Sequence, residues 1–201
     1  MTGKTLIHLL KVLFDLEKPH SQTTQSERLC LQKYASGKKR LVEIGVYEGL
    51  TTVEIARVMA PNGNFHAIDP FFKGRLGVCW SKLITIIHLK RNGVIQQVSL
   101  VEKFSHDAVD TIPGNFDFIF IDGDHSIEGI TRDYTDWSKR IEPGGILALH
   151  DTSVPGHNQN VEKLGSYKYF QEIIKYDAQF NLLETVDSLN ILRKTGSVQH
   201  V

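Results

Sequence analysis

The segment Phe116-Asp117-Phe118-Ile119-Phe120-Ile121-Asp122-Gly123-Asp124-His125 decides the fold. A short apolar run of this kind predicts a strand that is covered on both faces, as in a parallel sheet. The segment Gly144-Gly145-Ile146-Leu147-Ala148-Leu149-His150-Asp151 repeats the pattern, with an apolar run that leads directly into polar side chains. Ligands of open α/β sheets bind just beyond the carboxyl ends of the strands. We therefore expect a functional site where these two strands end.

Strands and helices alternate along the rest of the chain. The sequence predicts strands at 41–45, 65–69, 97–102, 116–122 and 146–150, and helices at 25–36, 50–60, 81–91, 127–140 and 166–177. This alternation predicts a doubly wound, mostly parallel α/β sheet. Two further strands, 181–186 and 189–192, are joined by a connection that is too short for a crossover helix, so they should form an antiparallel C-terminal hairpin.

The N-terminal region reads as helical. Apolar residues at positions 6, 9, 10, 13 and 14 recur at helical spacing, and Thr24-Gln25-Ser26-Glu27 has the form of a capping box that starts a second helix. The first apolar stretch is interrupted by His8 and Lys11, which argues against a signal peptide. We expect a single domain over residues 1–201, with a helical extension at 1–37 and a catalytic core at 38–195.

Composition narrows the function classes. The chain has 201 residues, 41% of them hydrophobic, and 23 basic side chains balance 23 acidic ones. A general binder of nucleic acid or of membranes would carry an excess of Lys and Arg, so we expect neither kind of partner. Cys30 and Cys79 show no metal-binding spacing, and we expect a cytoplasmic protein. The oligomeric state stays open, with a homodimer through the N-terminal helices as one alternative.

The loop Glu43-Ile44-Gly45-Val46-Tyr47-Glu48-Gly49 follows the first core strand, and Asp69 ends the next one. This layout is typical of nucleotide binding, but Tyr47 stands where a dinucleotide fingerprint has the glycine that lets the backbone approach a pyrophosphate. Glu48 adds a negative charge at the same helix start, which should repel a pyrophosphate and favour a cationic ligand. The alternative is a simple turn between strand and helix, with Asp69 as a local cap.

On these residues the chain resembles the class I S-adenosylmethionine-dependent methyltransferases, with their E-x-G-x-x-x-G loop and acidic end of the second strand. The resemblance implies a Rossmann-like methyltransferase sheet and S-adenosylmethionine as cofactor, with Asp69 on the ribose hydroxyls. It also implies that Ser105 and His106 contact the adenine, although Ser105 could instead cap the following helix. The full set of implied cofactor-binding residues is Glu43, Gly45, Tyr47, Gly49, Asp69, Ser105, His106 and Asp122.

Within that superfamily the chain is similar to the small metal-dependent O-methyltransferases of the catechol type and to bacterial sugar and natural-product O-methyltransferases. The likeness implies that Asp122 and Asp151 bind a divalent cation, Mg²⁺ by ligand chemistry, and that His125 is the base that deprotonates an acceptor hydroxyl. Thr152 stands where the catechol-type pattern has asparagine, so the third ligand is the Thr152 hydroxyl, water or a carboxylate such as Asp124. The implied reaction is O-methylation of a small molecule.

Other interpretations of the strand ends stay open. Asp124 could cap the helix that begins near Ser126, and His150 could hold a loop carbonyl. His125, His150 and Asp151 could together form a two-histidine, one-carboxylate site for non-haem iron, which would make the chain an oxygenase. A binding module that keeps the nucleotide fold without turnover is a further alternative. The acceptor should be shaped by the N-terminal helices, the segment 70–80 and the loop 152–166.

Overall fold

The structure, a computed structural model, describes residues 2–74 and 77–196, with side chains from residue 6 onward. The ends of the predicted domain, Met1 and Val201, and residues 75 and 76 of the predicted acceptor segment lie outside these ranges. The helices of the described part are Thr2–Leu13 (α1), Gln25–Ala35 (α2), Leu50–Ala56 (α3), Trp80–Arg91 (α4), Ser105–Ala108 (α5), Ile127–Trp137 (α6) and Gly165–Glu172 (α7). The strands are Arg40–Ile44 (β1), Asn64–Ile68 (β2), Val98–Val101 (β3), Phe116–Ile121 (β4), Ile141–Leu149 (β5), Phe180–Val186 (β6) and Leu189–Lys194 (β7).

These strands form one sheet in the order β3-β2-β1-β4-β5-β7-β6. Strands β1 to β5 are parallel, and β7 lies antiparallel between β5 and β6. The chain therefore has the predicted doubly wound α/β sheet with an antiparallel C-terminal hairpin. The order of the strands along the sheet reverses between β1 and β4, since β2 and β3 lie on one side of this pair and β5 lies on the other. Such folds open a crevice for ligands at this position.

Two apolar layers cover the sheet, as the unbroken apolar strands require. One layer contains Leu41, Phe65, Phe118 and Phe120, and the other packs β1 and β4 residues against Trp137 of α6. The pairing of β4 with β5 shifts register between Phe116 and Phe118, and these two residues lie in opposite layers. An irregularity of this kind reverses the alternation of side chains along a strand.

The N-terminal helices pack on one flank of the sheet. The predicted capping box is present, because the Thr24 hydroxyl accepts from the Glu27 backbone and the Glu27 side chain accepts from the Thr24 backbone. Helix α1 packs against α4, where the Arg91 guanidinium donates to the carbonyl oxygens of Val12 and Leu13. None of the described helices has the length and apolar content needed to cross a membrane.

Several boundaries differ from prediction for local reasons. Strand β5 begins at Ile141 and not at Ile146, because Ile141 already pairs with Phe116 and the strand continues through the exposed Pro143 and Gly144 with a shift in register. Helix α3 ends at Ala56 because the next residues bond to the turn before β1, where Gly37 N donates to Val58 O and Ala60 N donates to Lys38 O. The last turns of the predicted helices 127–140 and 166–177 are 3₁₀ in character.

Candidate functional site

A cavity of about 620 Å³ opens at the carboxyl ends of β1, β2 and β4. Seven of the eight predicted cofactor-binding residues line it, which brings together positions from 43 to 122 of the sequence. They are Glu43, Gly45, Tyr47, Asp69, Ser105, His106 and Asp122. The cavity lies where the fold predicts a ligand, beyond the strand ends.

Gly45 lets the ends of β1 and β4 approach each other. Its φ is +90°, and a Cβ built on it would lie 2.0 Å from the backbone oxygen of Asp122. Only glycine combines this conformation with such a contact. Gly45 therefore shapes the floor of the cavity through the backbone of β4.

Asp69 organises the loop that borders the cavity. Its Oδ2 accepts from the backbone N–H groups of Val46, at 3.0 Å, and Tyr47, at 3.3 Å. Its Oδ1 accepts from Phe71 N at 2.7 Å. A carboxylate that receives three backbone donors is held in a fixed orientation at the cavity wall. The carboxylate thus joins the loop after β1 to the chain after β2.

Gly49 is the predicted cofactor residue that does not line the cavity. It precedes α3 with a φ of +75°, and a Cβ there would lie 2.6 Å from the Thr85 methyl group of α4. In this structure the glycine permits close packing of α3 on α4. Its contact with a cofactor stays a prediction.

Glu48 does not contribute charge to the cavity, contrary to the expectation from its position in the loop. Its carboxylate is buried and turned toward the N-terminal region, where it lies 2.9 Å from His8 Nε2 and accepts from the backbone N–H of His20. The carboxylates that line the cavity are instead Glu43, Asp69, Asp122, Asp124 and Asp133.

Glu43 lies deepest among these carboxylates, with 1% of its surface exposed. Burial raises the pKa of Glu43 well above its ordinary value, and the charges of Asp122 and Asp69 raise this pKa further, although a hydrogen bond from Thr52 opposes the shift. Desolvation and like charges both favour the neutral form of a carboxyl group. The buried end of the cavity is thus less negative than its count of acidic residues implies.

Ser105 does not cap α5. The N-cap of α5 is Phe104, and the Ser105 hydroxyl donates to Asp133 Oδ1 across the cavity wall. Burial raises the pKa of Asp133 to about 6 against the lowering effect of this hydrogen bond. His106 stacks on Phe104 with ring centroids 5.4 Å apart, and Phe104 also lines the cavity. An aromatic wall with polar groups beside it suits a planar heterocycle.

The predicted catalytic residues meet beside this cavity, where β4 and β5 end. His125 Nε2 lies 3.8 Å from Asp122 Oδ1 and 3.6 Å from Asp151 Oδ2. His150, which is 4% exposed, places its Nδ1 2.9 Å from Asp122 Oδ1 and its Nε2 3.3 Å from Glu27 Oε2. The two aspartates are thus each close to both histidines.

His150 contacts carboxylates and not the loop carbonyl considered from its sequence position. Burial alone lowers the pKa of His150, but Asp122, Glu27 and Asp151 together raise this pKa well above the ordinary value. Hydrogen bonds and charge from His150 likewise lower the pKa of Glu27 to about 2, against the effect of burial. The surrounding carboxylates therefore favour the protonated form of the buried imidazole, while burial opposes it.

A Mg²⁺ ion held by Asp122 and Asp151 would take its remaining ligands from water, because Mg²⁺ keeps several of its waters. Asp122 and Asp151 do not join a third histidine or acidic side chain in a described group whose ligand atoms all lie within 4.8 Å of one another. Thr152 is fully buried; its hydroxyl donates to Leu149 O and accepts from Asn190 Nδ2, so the structure gives it a role in the turn after β5. His150 Nδ1 lies near both carboxylates, 2.9 Å from Asp122 Oδ1 and 3.8 Å from Asp151 Oδ2. His125, His150 and Asp151 are likewise not among the described groups whose ligand atoms all lie within 4.8 Å of one another, so the structure does not support an iron site made by them.

Asp124 supports a helix start indirectly. Its two carboxylate oxygens accept from the backbone N–H and the hydroxyl of Ser126, each at 2.9 Å. Ser126 is itself the N-cap of α6 and accepts from Gly129 N. Asp124 therefore orients the capping residue while it also lines the cavity.

Comparison with known proteins assigns the family. The profile of a family described as a methyltransferase domain matches residues 42–152, which run from β1 to the turn after β5 and include the loop, Asp69, Asp122 and His125. The chain belongs to this methyltransferase domain family. The match covers more than half of the chain and both parts of the site.

Individual relatives of this methyltransferase domain agree with the family. A catechol O-methyltransferase of Mycobacterium tuberculosis is 28% identical over 133 residues, which cover 66% of the chain but only 56% of that relative. The cofactor-bound structure of Rv0187 from MTB superposes with a TM-score of 0.69 at 18% sequence identity. The superposition covers 95% of the present chain and 89% of the Rv0187 chain. The O-methyltransferase TomG of Streptomyces achromogenes, in complex with SAM, has a TM-score of 0.63 at 20% identity, with 96% and 90% covered. At these identities the two structures show that the methyltransferase fold is shared.

The sequence did not single out several residues of the methyltransferase cavity. His20, Ser21 and Gln22 from the N-terminal region line the cavity, as do Arg132 and Asp133 of α6. They lie on a segment and a helix that carry no motif. Their only sequence signal is the position of α6 directly after the acidic end of β4, which brings the helix start over the site.

Proposed function

We propose that this methyltransferase domain binds S-adenosylmethionine in the 620 Å³ cavity and transfers its methyl group to a hydroxyl of a small molecule. The observation that carries the proposal is the convergence of Asp69 and the Phe104-Ser105-His106 segment on one cavity, next to the pair Asp122 and His125. Such a cavity offers separate environments for a ribose, a planar base and a reacting centre.

The cofactor would lie along the strand ends. The Asp69 carboxylate accepts hydrogen bonds from ribose hydroxyls, and the rings of Phe104 and His106 offer a face for the adenine. Asp122 lies toward the reacting end, where a carboxylate favours an ammonium or sulfonium group. Tyr47 is 46% exposed and covers the cavity from the loop side.

We assign to His125 the role of accepting the proton of the acceptor hydroxyl; the residue lines neither cavity but lies between residues of both, Asp122 and Asp151. Its side chain is 25% exposed and lies between Asp122 and Asp151. In the proposed transfer, the hydroxyl oxygen forms a bond to the methyl carbon, the carbon–sulfur bond breaks with its electron pair left on sulfur, and the proton passes to His125 Nε2. A base of this kind contributes roughly 10²- to 10⁴-fold to such a step.

A second cavity of about 290 Å³ adjoins the β5 end and is the place we assign to the acceptor. His150, Asp151, Glu27 and Ser188 line it on one side, and His157 and Asn158 line it on the loop side. Its polar lining suits a small hydroxylated molecule. Phe72, in the predicted acceptor segment, is 74% exposed and lines the larger cavity instead.

Assistance by a divalent cation remains a prediction from the sequence resemblance, with Asp122 and Asp151 as its ligands; the Thr152 hydroxyl is already engaged by Leu149 and Asn190. We propose a transfer in which the chain's own residues orient the acceptor and take its proton. We also propose that the enzyme is cytoplasmic and has no nucleic-acid or membrane partner. Sedimentation velocity would determine whether the protein forms a homodimer, the alternative named above.

Calorimetry with S-adenosylmethionine and with S-adenosylhomocysteine tests the function. We expect binding of one equivalent per chain with and without EDTA, followed by methyl transfer to members of a panel of small hydroxylated acceptors. Absence of cofactor binding in both conditions would refute the proposal. Binding without turnover on the panel would favour a non-catalytic module, and turnover abolished by EDTA and restored by Mg²⁺ would restore the metal-assisted mechanism.

A further inference from the structure

Three side chains with metal-binding chemistry meet outside the site described above. His8 comes from α1, His20 from the segment between α1 and α2, and Glu48 from the loop before α3. One ligand atom from each lies within 4.8 Å of the others. We call these three residues, with Glu17 beside them, the N-terminal histidine cluster.

The distances within the cluster suit a tetrahedral ion. Glu48 Oε2 lies 2.9 Å from His8 Nε2 and 3.8 Å from His20 Nδ1, and the two imidazole rings are stacked with centroids 3.9 Å apart. Ligand atoms about 2.0 to 2.1 Å from a tetrahedral Zn²⁺ are separated by about 3.4 Å from one another. The observed separations bracket this value, but the lone pairs of two stacked rings are parallel, so the half-exposed His20 ring would have to rotate out of the stack to face the same ion as His8.

Glu17 lies on the opposite side of both rings. Its Oε2 lies 3.4 Å from His8 Nδ1, and its Oε1 lies 3.1 Å from His20 Nε2. Each ring thus directs one nitrogen at Glu48 and the other at Glu17. An outer carboxylate that accepts an imidazole N–H leaves the second nitrogen for a metal. His20 makes this hydrogen bond, and His8 Nδ1 lies near Glu17 without hydrogen-bond geometry.

Burial separates this cluster from an ordinary surface ion pair. His8 is 7% exposed and Glu48 is 5% exposed, and His8 Nδ1 has no hydrogen-bond partner of good geometry. Stacked imidazoles repel each other when both are protonated, whereas a bound cation would use a lone pair of each. The side chain of His20 is 51% exposed, which leaves a path from solvent to the cluster.

We propose that His8, His20 and Glu48 bind one Zn²⁺ or a similar divalent transition-metal ion, with Glu17 orienting both imidazoles. Two imidazoles and one carboxylate suit Zn²⁺ and not Mg²⁺, which prefers oxygen ligands and keeps its waters. The ion would join α1 and the segment after it to the loop that holds Tyr47. Because His20 and Tyr47 both line the larger cavity, the ion would fix one wall of that cavity.

Titration calorimetry of the full chain with ZnCl₂, after removal of metals, tests the site. We expect one equivalent of Zn²⁺ to bind, with excess Mg²⁺ unable to displace it. Glu17→Gln removes an outer carboxylate and should weaken Zn²⁺ binding by roughly 10- to 100-fold. His20→Gln removes a ligand at a half-exposed position and should weaken Zn²⁺ binding by more than this. His8→Gln provides a second test at the buried ligand.

Two histidine variants serve as controls. His125→Gln removes a histidine at the β4 end, and His88→Gln removes one on α4; both should bind Zn²⁺ with unchanged affinity. Hydrogen exchange gives an independent measure, because Zn²⁺ should increase protection of amides in residues 8–22 in the wild type and not in the His20→Gln variant. Failure of the wild type to bind Zn²⁺, binding unaffected by His20→Gln and His8→Gln, or loss of binding in His125→Gln would overturn the proposal.

Discussion

Glu27 Oε2 lies 3.3 Å from His150 Nε2, although 123 residues separate the two in the chain. The other oxygen of Glu27 accepts from both the backbone N–H and the hydroxyl of Ser188, in the turn between β6 and β7. The carboxylate that completes the capping box of α2 therefore also holds the end of β5 and the C-terminal hairpin. The N-terminal helices are part of the site and not an appendage to it.

Glu27→Gln should lower the free energy of unfolding by about 3 kcal/mol, because it removes one charge from a buried ion pair and presents an amide to donor groups. The pKa of Glu27 in the folded chain is lowered to about 2, so its stabilisation is complete above about pH 4.5 and disappears as the pH falls toward 2. Urea denaturation at pH 7 and pH 3 measures both effects. Glu172→Gln, on an exposed position, is the control and should unfold like the wild type; a Glu27→Gln variant of equal stability would contradict the assignment.

His125→Ala should reduce methyl transfer by about a hundredfold, the effect of losing a general base, while the affinity for S-adenosylmethionine stays the same. The reason is that His125 lies between the two aspartates at the strand ends and does not line the larger cavity. Single-turnover assays and calorimetry separate the two quantities. His66→Ala, in β2 and away from the strand ends, should leave both unchanged, and an unchanged rate in His125→Ala would remove this residue from the chemistry.

Asp69→Ala should weaken cofactor binding by roughly 10- to 100-fold, since hydrogen bonds to a charged group contribute about 1.5–3 kcal/mol. Part of the loss should come from the loop itself, because Val46, Tyr47 and Phe71 donate their backbone N–H groups to this carboxylate. Calorimetry with S-adenosylhomocysteine measures the effect, with the exposed Asp110→Ala as control. Wild-type affinity in Asp69→Ala would show that the ribose is held elsewhere.

Asp133→Asn should stabilise the protein increasingly as the pH rises from 4 to 7. The folded chain raises the pKa of Asp133 from 3.8 to about 6, so the unfolded chain loses this proton first, and wild-type stability falls between these two pH values. The difference should reach at most about 3 kcal/mol. Urea denaturation at pH 4 and pH 7 gives the result; a difference that does not vary with pH, or an equal effect of Asp110→Asn, would be inconsistent with the buried carboxyl group.

Gly45→Ala should destabilise the fold by about 3 kcal/mol or more, because the added Cβ meets the backbone oxygen of Asp122 and the positive φ disfavours alanine. Gly156→Ala is the matched control, since a Cβ there has open space around it. Thermal and urea denaturation compare the two. Equal stability of both variants would mean that β1 and β4 can separate without cost.

The sequence could predict the sheet and the strand-end residues, because strand periodicity is local and the ends of parallel strands meet at one edge. Asp69, Asp122 and His125 were found in this way. The direction of Glu48 could not be predicted, because its burial depends on His8 and His20, which α1 and the segment after it bring to the loop. Asp133 was missed for a similar reason: its approach to Ser105 depends on how α6 packs on the sheet.

The start of β5 shows a different limit. The sequence Pro143-Gly144-Gly145 predicts a turn, but the strand runs through these residues with a shift in register, because Ile141 pairs with Phe116. Tertiary pairing overrides a local turn signal when a neighbouring strand offers hydrogen bonds. Thr152 illustrates the same point at the site, since its hydroxyl is engaged by Asn190 of β7, a partner that local sequence does not reveal.

The contact between Glu27 and Ser188 also implies an order in which the two cavities form during synthesis of the chain. Every side chain that lines the larger cavity lies between residues 20 and 133, so a growing chain contains all of them before the C-terminal hairpin exists. The smaller cavity needs Ser188 and therefore waits for that hairpin to reach α2. Contacts of such long sequence separation form late because the loop they close is long. A ribosome-bound chain would thus hold the residues for the cofactor while its acceptor side was still unfinished.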